Sequence, residues 1–325
     1  MLLGKDLAYG ERTNGRSTMT TRWSRALDRA GISDPALRRA YSGQRQLVAR
    51  FARAEYTAVR LLLPPPLIPH IVAATAFMHH TDTLIDQGPM KERLEAADSW
   101  RRQVTTALDR GSSEHPLLGA LTHTISRHPQ LQGYVQQFLS GADVEVEWES
   151  FSGEADFQHY VTAYSLPAFM LVACLLAPAT PSREYVTGCR AFIEAGQRLD
   201  FLDDIAEDLE QGRTGITHEA LGRHGLTPQD LRHRPAQGFE GLLHEQAVLV
   251  RAGLEESRGI EQHVHISSRP MVRALIDLQT LRLGAVKKAG TALLNGSARP
   301  PLAEALRVLG REYRAAQRQG RTPGR

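Results

Sequence analysis

The chain has 325 residues, 42% hydrophobic and 6% aromatic, with a formal net charge of +3 and two cysteines, Cys174 and Cys189. That length and apolar content suit one large domain or two small ones. The small positive excess argues against nucleic-acid binding, and so few cysteines argue against a disulfide framework or structural zinc and for a reducing, cytoplasmic setting.

Residues 1–20 are polar, glycine-containing and aperiodic, the composition of a disordered segment. From there to residue 316 helical periodicity dominates, with no convincing strand alternation, so the expectation is an all-α single domain. One helix is predicted over about 36–63, stopped by Pro64-Pro65-Pro66, and a second over about 67–86. Further helical patterns cover about 90–110, 116–127, 130–150, 154–177 and 182–211, with Gly212 at a C′ position. Thr227-Pro228-Gln229-Asp230 reads as an N-cap, a proline at N1 and an acid at N3. Helices over about 238–258, 269–294 and 300–316 follow. Residues 317–325 are expected to be a disordered basic tail. It continues a run of Arg307, Arg311, Arg314, Arg318, Arg321 and Arg325 against a lone Glu312, read as solvated or as a weak contact with anionic membrane. The longest apolar run, Leu166 to Ala179, contains Pro167 and is too short for a membrane span, so no integral membrane segment is expected.

Two acidic motifs stand about 120 residues apart with the same internal spacing of one helical turn. The first is Asp82 with Asp86; the second is Asp204 with Asp208, extended backward by Asp203 and Asp200. Asp82 and Asp86 follow the apolar stretch Ile71 to Met78, and unpaired charges on a buried helix are costly. Asp200, Asp204 and Asp208 repeat at every fourth position, and no lysine or arginine lies among residues 199–212 to relieve their repulsion. Hard cations prefer carboxylate oxygen, so Asp82, Asp86, Asp200, Asp204 and Asp208 are predicted Mg²⁺ ligands. Two such faces opposed would grip a diphosphate and help its C–O bond break, leaving an allylic carbocation in a dry apolar cavity. The helices around Leu166–Ala179 and Ala274–Leu283 are candidate walls.

The chain resembles the squalene/phytoene synthase family from about residue 50 to about residue 285. Ala76 to Asp86 is similar to the family's first signature, and Gln197 to Asp208 with Gly212-Arg213 to its second. Tyr56 and Arg60 to Pro64 match an upstream substrate-binding stretch, and Gly141 to Glu145 matches a G-x-x-x-D segment with glutamate for aspartate. The resemblance implies an isoprenoid-synthase-type helical bundle around a central cavity, Mg²⁺ as cofactor and a prenyl diphosphate donor, farnesyl by family preference. Tyr56, Arg60, Tyr164, Phe77, Phe169, Gln197, Arg213 and Arg269 are the expected substrate-binding residues. Asp82, Asp86, Asp204, Asp208, Asp203 and His79 are the expected catalytic ones.

The departures bear on the acceptor. His79 and Asp203 stand where the family has arginines, which turns two positive charges into one negative with histidine taken as neutral. A unit-charge pair at such a site is worth about 4 kcal/mol, so a second diphosphate would be repelled. Gln246 or Ala247 and Gln279 occupy positions that carry tyrosine, and Tyr164 to Phe169 replaces a small, glycine-rich segment. The second substrate is therefore expected to be an uncharged aromatic small molecule. Some phytoene-synthase-like relatives farnesylate the indole of tryptophan-containing cyclic dipeptides. Head-to-head condensation of two prenyl diphosphates and intramolecular terpene cyclisation remain open, as do a silent partner subunit and an isoprenoid-binding module. Asp203, Glu207 or a histidine would take the final proton.

Overall fold

A computed structural model describes residues 21–233 and 238–319. The expected disordered segment 1–20, Arg321 and Arg325 lie outside the described residues.

Apolar residues recur at helical spacing and proline or glycine punctuates the intervals, which yields a run of helices. These are α1 (Arg22–Arg29), α2 (Pro35–Phe51), α3 (Arg53–Leu62), α4 (Ile68–Asp86), α5 (Met90–Arg110), α6 (Pro116–Arg127), α7 (Gln130–Ser140), α8 (Ala142–Glu147) and α9 (Glu154–Tyr160). Then come α10 (Leu166–Ala173), α11 (Arg183–Asp203), α12 (Ile205–Glu210), α13 (His218–Arg223), α14 (Pro228–His233), α15 (Phe239–Ser257), α16 (Ile260–His263), α17 (Arg269–Ala289) and α18 (Leu302–Gln319). A π turn, Val161–Ser165, joins α9 to α10, and a 3₁₀ segment, Gly290–Asn295, follows α17. Among the described residues there is no strand, as expected for an all-α chain; one isolated bridge pairs Ser150 with Thr214.

Helix α4 is apolar around nearly its whole circumference, from Ile68 to Phe77, and is accordingly central. It packs on α2, α5, α6 and α10. The indole of Trp100 on α5 donates to the Thr81 hydroxyl at 2.9 Å, which clips α5 to the turn of α4 bearing the first acids. On the other side α11 packs on α10, α15 and α17. α14 has the predicted cap: Thr227 N–H donates to Asp230 Oδ2 at 2.8 Å, and Asp230 N–H to Thr227 Oγ1 at 3.3 Å.

Several boundaries differ from expectation. The helix predicted over about 36–63 breaks at Ala52 (φ −125°, ψ 53°), with no proline or glycine to mark it. Its cause is tertiary: the break directs Phe51 onto His79, with ring centroids 3.5 Å apart. The pattern over about 154–177 is interrupted by the π turn, because Pro167 has no N–H for the carbonyl of Ala163 and its ring crowds that oxygen. Leu166 N–H bonds back to Val161 O instead. The last helix runs to Gln319, past the expected end at 316, and residues 320–325 of the expected tail lie outside the described residues. Glu312 is not a lone acid in a solvated tail. It is buried, bound by Arg273 Nε at 2.8 Å and Arg311 Nε at 2.7 Å, and it fastens α18 antiparallel to α17.

Gly141 joins α7 to α8 directly against the main chain of the π turn. A Cβ there would overlap the carbonyl of Ala163. Gly141→Ala should therefore lower stability by about 1–3 kcal/mol. Gly133→Ala, within α7 and with open space around it, should raise stability by up to about 1 kcal/mol. Thermal denaturation of both proteins checks the pair; equal midpoints would contradict the close approach.

Candidate functional site

The end of α4 carries Asp82 and Asp86, which share one face because they are one turn apart. Asp82 is half-buried, and its Oδ1 accepts a hydrogen bond from the Tyr164 hydroxyl at 2.6 Å. Burial pushes its carboxyl up to about 6, with Asp86 adding to the shift and the Tyr164 bond opposing it. Asp86 stands at the exposed rim, within the field of the Arg213 guanidinium. α8 contributes Glu145, which accepts from the Tyr160 hydroxyl at 2.5 Å. Burial, and then the charges of Asp86 and Asp82, push Glu145 up to about 7. Tyr160 and Tyr164 lie four residues apart across the π turn, so the local distortion aims both phenols at the acids.

The second motif straddles the junction of α11 and α12. Asp204 leaves helical geometry slightly (φ −97°, ψ 9°), yet Asp204 N–H bonds Asp200 O at 2.8 Å and Asp208 N–H bonds Asp204 O at 2.9 Å. The fourth-residue stripe therefore survives the break. Burial and the nearby Asp200 push Asp204 up to about 6. Burial likewise pushes Asp208 up to about 6, against the pull of Arg213, and its buried Oδ2 has no hydrogen-bond partner. Arg213 thus lies within electrostatic reach of both Asp86 and Asp208, which brings the rims of the two motifs together. The loop bearing it is held beside residues 149–151 by Thr214 N–H to Glu149 O (2.8 Å) and His218 N–H to Phe151 O (2.9 Å). This seats the guanidinium 4.9 Å from the ring centre of Trp148. Below the acids Trp148, Phe151, Tyr160 and Phe201 are in mutual ring contact at 5.2–6.0 Å. Such ring faces favour cations.

The charge expectation for the second motif is corrected by Arg282, on α17 and far outside the window 199–212. Its Nη2 pairs with Asp203 Oδ2 at 2.8 Å, and its Nη1 pairs with Asp200. The other Asp203 oxygen accepts the main-chain N–H of Ala298 at 2.7 Å. Asp203 is thus a buried, fully engaged acid that holds Arg282 and the 298 segment in place, rather than a free repulsive charge or an available base. Sequence reasoning missed Arg282 because the pair spans 79 positions. It also left Glu145 off the site, for which the one signal was the G-x-x-x-D likeness.

The remaining expected residues are scattered. His79 stacks on Phe51, so its ring is engaged by α2. Phe77 is fully buried between Trp100 and Phe138. Gln197 accepts from Ser165 Oγ at 3.1 Å. Phe169 lines an apolar cavity of about 30 Å³ with Val172, Phe192, Val272 and Ile276, between α10, α11 and α17. Tyr56 is buried, and exposed Arg60 lies over its ring at 5.5 Å. Arg269 opens α17, thirteen residues before Arg282 and so about 20 Å away along the helix. The structure does not bring it to the acids. Glu207 is exposed and accepts from Gln211 Nε2 at 3.3 Å.

Among the described residues, no three His, Cys, Asp or Glu side chains converge on a point where they alone would hold an ion. Mg²⁺ does not need such a cage; it takes one or two carboxylates plus water and substrate phosphate oxygens. The crowded acids, displaced upward by burial, and the orphaned Oδ2 of Asp208 suit that mode of binding.

The sequence profile of the Squalene/phytoene synthase family matches residues 49–317. The chain is 29% identical over 262 residues to the Bifunctional protein CrtB/UppS of Streptomyces coelicolor, covering 78% of this chain and 44% of that protein. It is 25% identical over 204 residues to the 15-cis-phytoene synthase of Synechocystis sp., covering 59% of this chain and 60% of that protein. It therefore spans only 44% and 60% of the length of these relatives. The structure of squalene synthase HpnC from Alicyclobacillus acidocaldarius superposes with a TM-score of 0.72 at 22% identity, covering 81% of this chain and 98% of that one. A dehydrosqualene synthase in complex with ligand gives 0.77 at 17% identity, covering 90% and 99%. These likenesses show the isoprenoid-synthase-type helical fold.

Two predictions follow from the electrostatics. Asp203→Ala should cost about 3–5 kcal/mol because it strips Arg282 of a partner at a buried site. Asp203→Ala/Arg282→Ala should cost about 1–3 kcal/mol less than the sum of the two single changes. Denaturant titrations complete this cycle, and additive losses would remove the coupling. The second concerns pH. Asp82, Asp204 and Asp208 near 6 and Glu145 near 7 bind more protons folded than unfolded. Their contribution to stability is present below about pH 4 and is lost as pH rises through 6–7. The buried histidines, His70 among them, titrate low and act in the opposite direction, but only below about pH 6.5. Between about pH 6.5 and 8 in EDTA the melting temperature should therefore fall, and Glu145→Gln should flatten that slope. A slope unchanged in Glu145→Gln would mean that this acid titrates normally.

Proposed function

The chain belongs to the squalene/phytoene synthase family, and from that premise we propose that it is a Mg²⁺-dependent prenyltransferase acting on an allylic prenyl diphosphate, farnesyl diphosphate. The acceptor in this reading is an uncharged aromatic molecule, the indole of a tryptophan-containing cyclic dipeptide. The observation that supports it is the placement of charge around the crevice. Acids of both motifs surround Arg213, while the cation beside the second motif, Arg282, is consumed by Asp200 and Asp203.

Asp82, Asp86, Asp204 and Asp208 would hold Mg²⁺ together with the diphosphate of the donor. The metal would supply neutralising charge to the leaving group as the C–O bond breaks. Arg213, planar and seated on Trp148, is positioned at the rim to bind phosphate oxygens bidentately. Exposed Arg60 is a second candidate clamp. Tyr164 orients Asp82 through its 2.6 Å hydrogen bond, leaving the other carboxylate oxygen for the metal. The ring faces of Tyr160, Trp148 and Phe201 stabilise the allylic cation and exclude water from it. A neutral indole can capture that cation without bringing a second diphosphate beside the second motif, whose neighbouring cation, Arg282, is already paired. Glu145, poised near 7 and hydrogen-bonded to Tyr160, is better suited than Asp203 to take the proton released on rearomatisation or ring closure.

One observation favours head-to-head condensation instead. Arg282 cancels the Asp203 charge, so the site is not repulsive to a second diphosphate as the two replaced positions suggest. Incubation with Mg²⁺ and farnesyl diphosphate, with and without tryptophan-containing cyclic dipeptides, followed by mass analysis, separates the readings. Farnesylated dipeptide is expected. A thirty-carbon hydrocarbon from farnesyl diphosphate alone would establish condensation, and a fifteen-carbon cyclic product would establish cyclisation. Asp82→Asn and Asp204→Asn should each abolish pyrophosphate release while leaving the helical circular-dichroism signal intact; near-normal rates in both would mean that these acids do not hold the metal.

A further inference from the structure

Helices α11 and α17 pack together, and their shared face changes from apolar to charged along its length. At one level Phe192 of α11 with Val272 and Ile276 of α17 lines the apolar cavity of about 30 Å³. At the other, Asp200 and Asp203 of α11 pair with Arg282 of α17. Gly196 and Gln279 stand between them. Gln279 is only 7% exposed, and its Oε1 is sealed from solvent with no hydrogen-bond partner. Arg282, one turn on, cannot supply the donor, because its Nε, Nη1 and Nη2 are all committed to the two aspartates. Gln197, beside Gly196, is by contrast engaged, accepting from Ser165 Oγ at 3.1 Å. Gly196 leaves room in front of the Gln279 amide. A Cβ there would meet Gln279 Nε2 at 3.8 Å and nothing else from a neighbouring element among the described residues.

A buried carbonyl oxygen without a donor destabilises the fold relative to an apolar side chain of the same size, so packing alone gives no reason for it. That oxygen calls for an N–H or O–H group. A prenyl chain carries neither, and a diphosphate presents acceptor oxygens. We propose that Gln279 is a specificity-determining residue whose Oε1 receives an N–H of the acceptor, so that the second substrate is a neutral molecule bearing that group. This rests on the prenyl-transfer reading above and narrows its acceptor. Gln279 lies about 4.5 Å along α17 from Arg282, so an acceptor held there lies beside Asp200 at the edge of the second motif. The hydrogen bond orients the acceptor while its electron-rich ring stays free to meet the allylic cation.

Calorimetric titration of the full chain, in the presence of Mg²⁺ and unreactive farnesyl thiodiphosphate, tests this. The probes are cyclo(Trp-Leu) and two analogues, one methylated on the indole nitrogen and one on both lactam nitrogens. One analogue should bind about tenfold more weakly than the parent. In Gln279→Leu that difference should vanish, whereas a merely steric penalty for the methyl group would survive the change. Gln279→Leu should also melt about 2–4 °C higher, because it removes an unpaired buried acceptor. Equal binding of all three probes by the unaltered protein, binding of none, or discrimination that persists in Gln279→Leu overturns the proposal. So does a lower melting temperature in that variant, which would make the amide a structural bond. Farnesol formed from farnesyl diphosphate by the unaltered protein and lost in Gln279→Leu would assign the oxygen to a water and overturn it as well. Pyrophosphate release with no dipeptide binding would overturn this inference and leave metal-dependent ionisation standing. N–H-dependent binding without any pyrophosphate release would do the reverse.

Discussion

Carboxyl groups of α4 and α8 on one side and of α11 and α12 on the other crowd among themselves and meet at Arg213, and their repulsion is the constraint around which the surrounding contacts are arranged. Inside the protein it is met by Arg282, bound to Asp200 and Asp203, and by Arg213 between Asp86 and Asp208. Asp82, Asp204, Asp208 and Glu145 are left displaced upward by burial. A protein gains nothing in stability from collecting acids in this way. Under the proposed function the arrangement is a receptor for cations and the anionic group they accompany, held ready at some cost to the unliganded fold.

Local distortions position the chemistry. Pro167 denies the Ala163 carbonyl its usual partner, and the helix answers with a π turn that carries Tyr164. Gly141 allows the α7–α8 corner to close on that turn, bringing Glu145 to Tyr160. Gly215, whose missing side chain leaves room for the Phe201 ring, lets the Arg213 loop pass over the aromatic floor. The sites of broken regularity are thus the sites where functional groups gather.

The exchange of charge between α11 and α17 bears on the acceptor proposed above. With Asp203 satisfied by Arg282 and Ala298, its negative charge is not presented to a ligand. The site is therefore neither strongly repulsive nor endowed with a free cation at that point. The proposed neutral acceptor asks for no cation at that point.

Periodicity and composition alone determined that the chain is helical, and they placed α4, α5 and α6 almost to the residue, because a local pattern of apolar side chains specifies a helix and proline or glycine ends it. The spacing of the two acidic motifs was legible for the same reason: neighbours within one helix share a face whatever surrounds them. Only the tertiary structure decided which charges meet. Arg282 reaches Asp203 across 79 positions, Tyr164 reaches Asp82 across 82, and Phe51 breaks a continuous helical pattern to stack on His79. Such pairings are set by how helices pack against one another, and no local period encodes them. Arg269, placed by motif order at the site, lies about 20 Å from Arg282 because a helix carries its residues apart at a fixed rise.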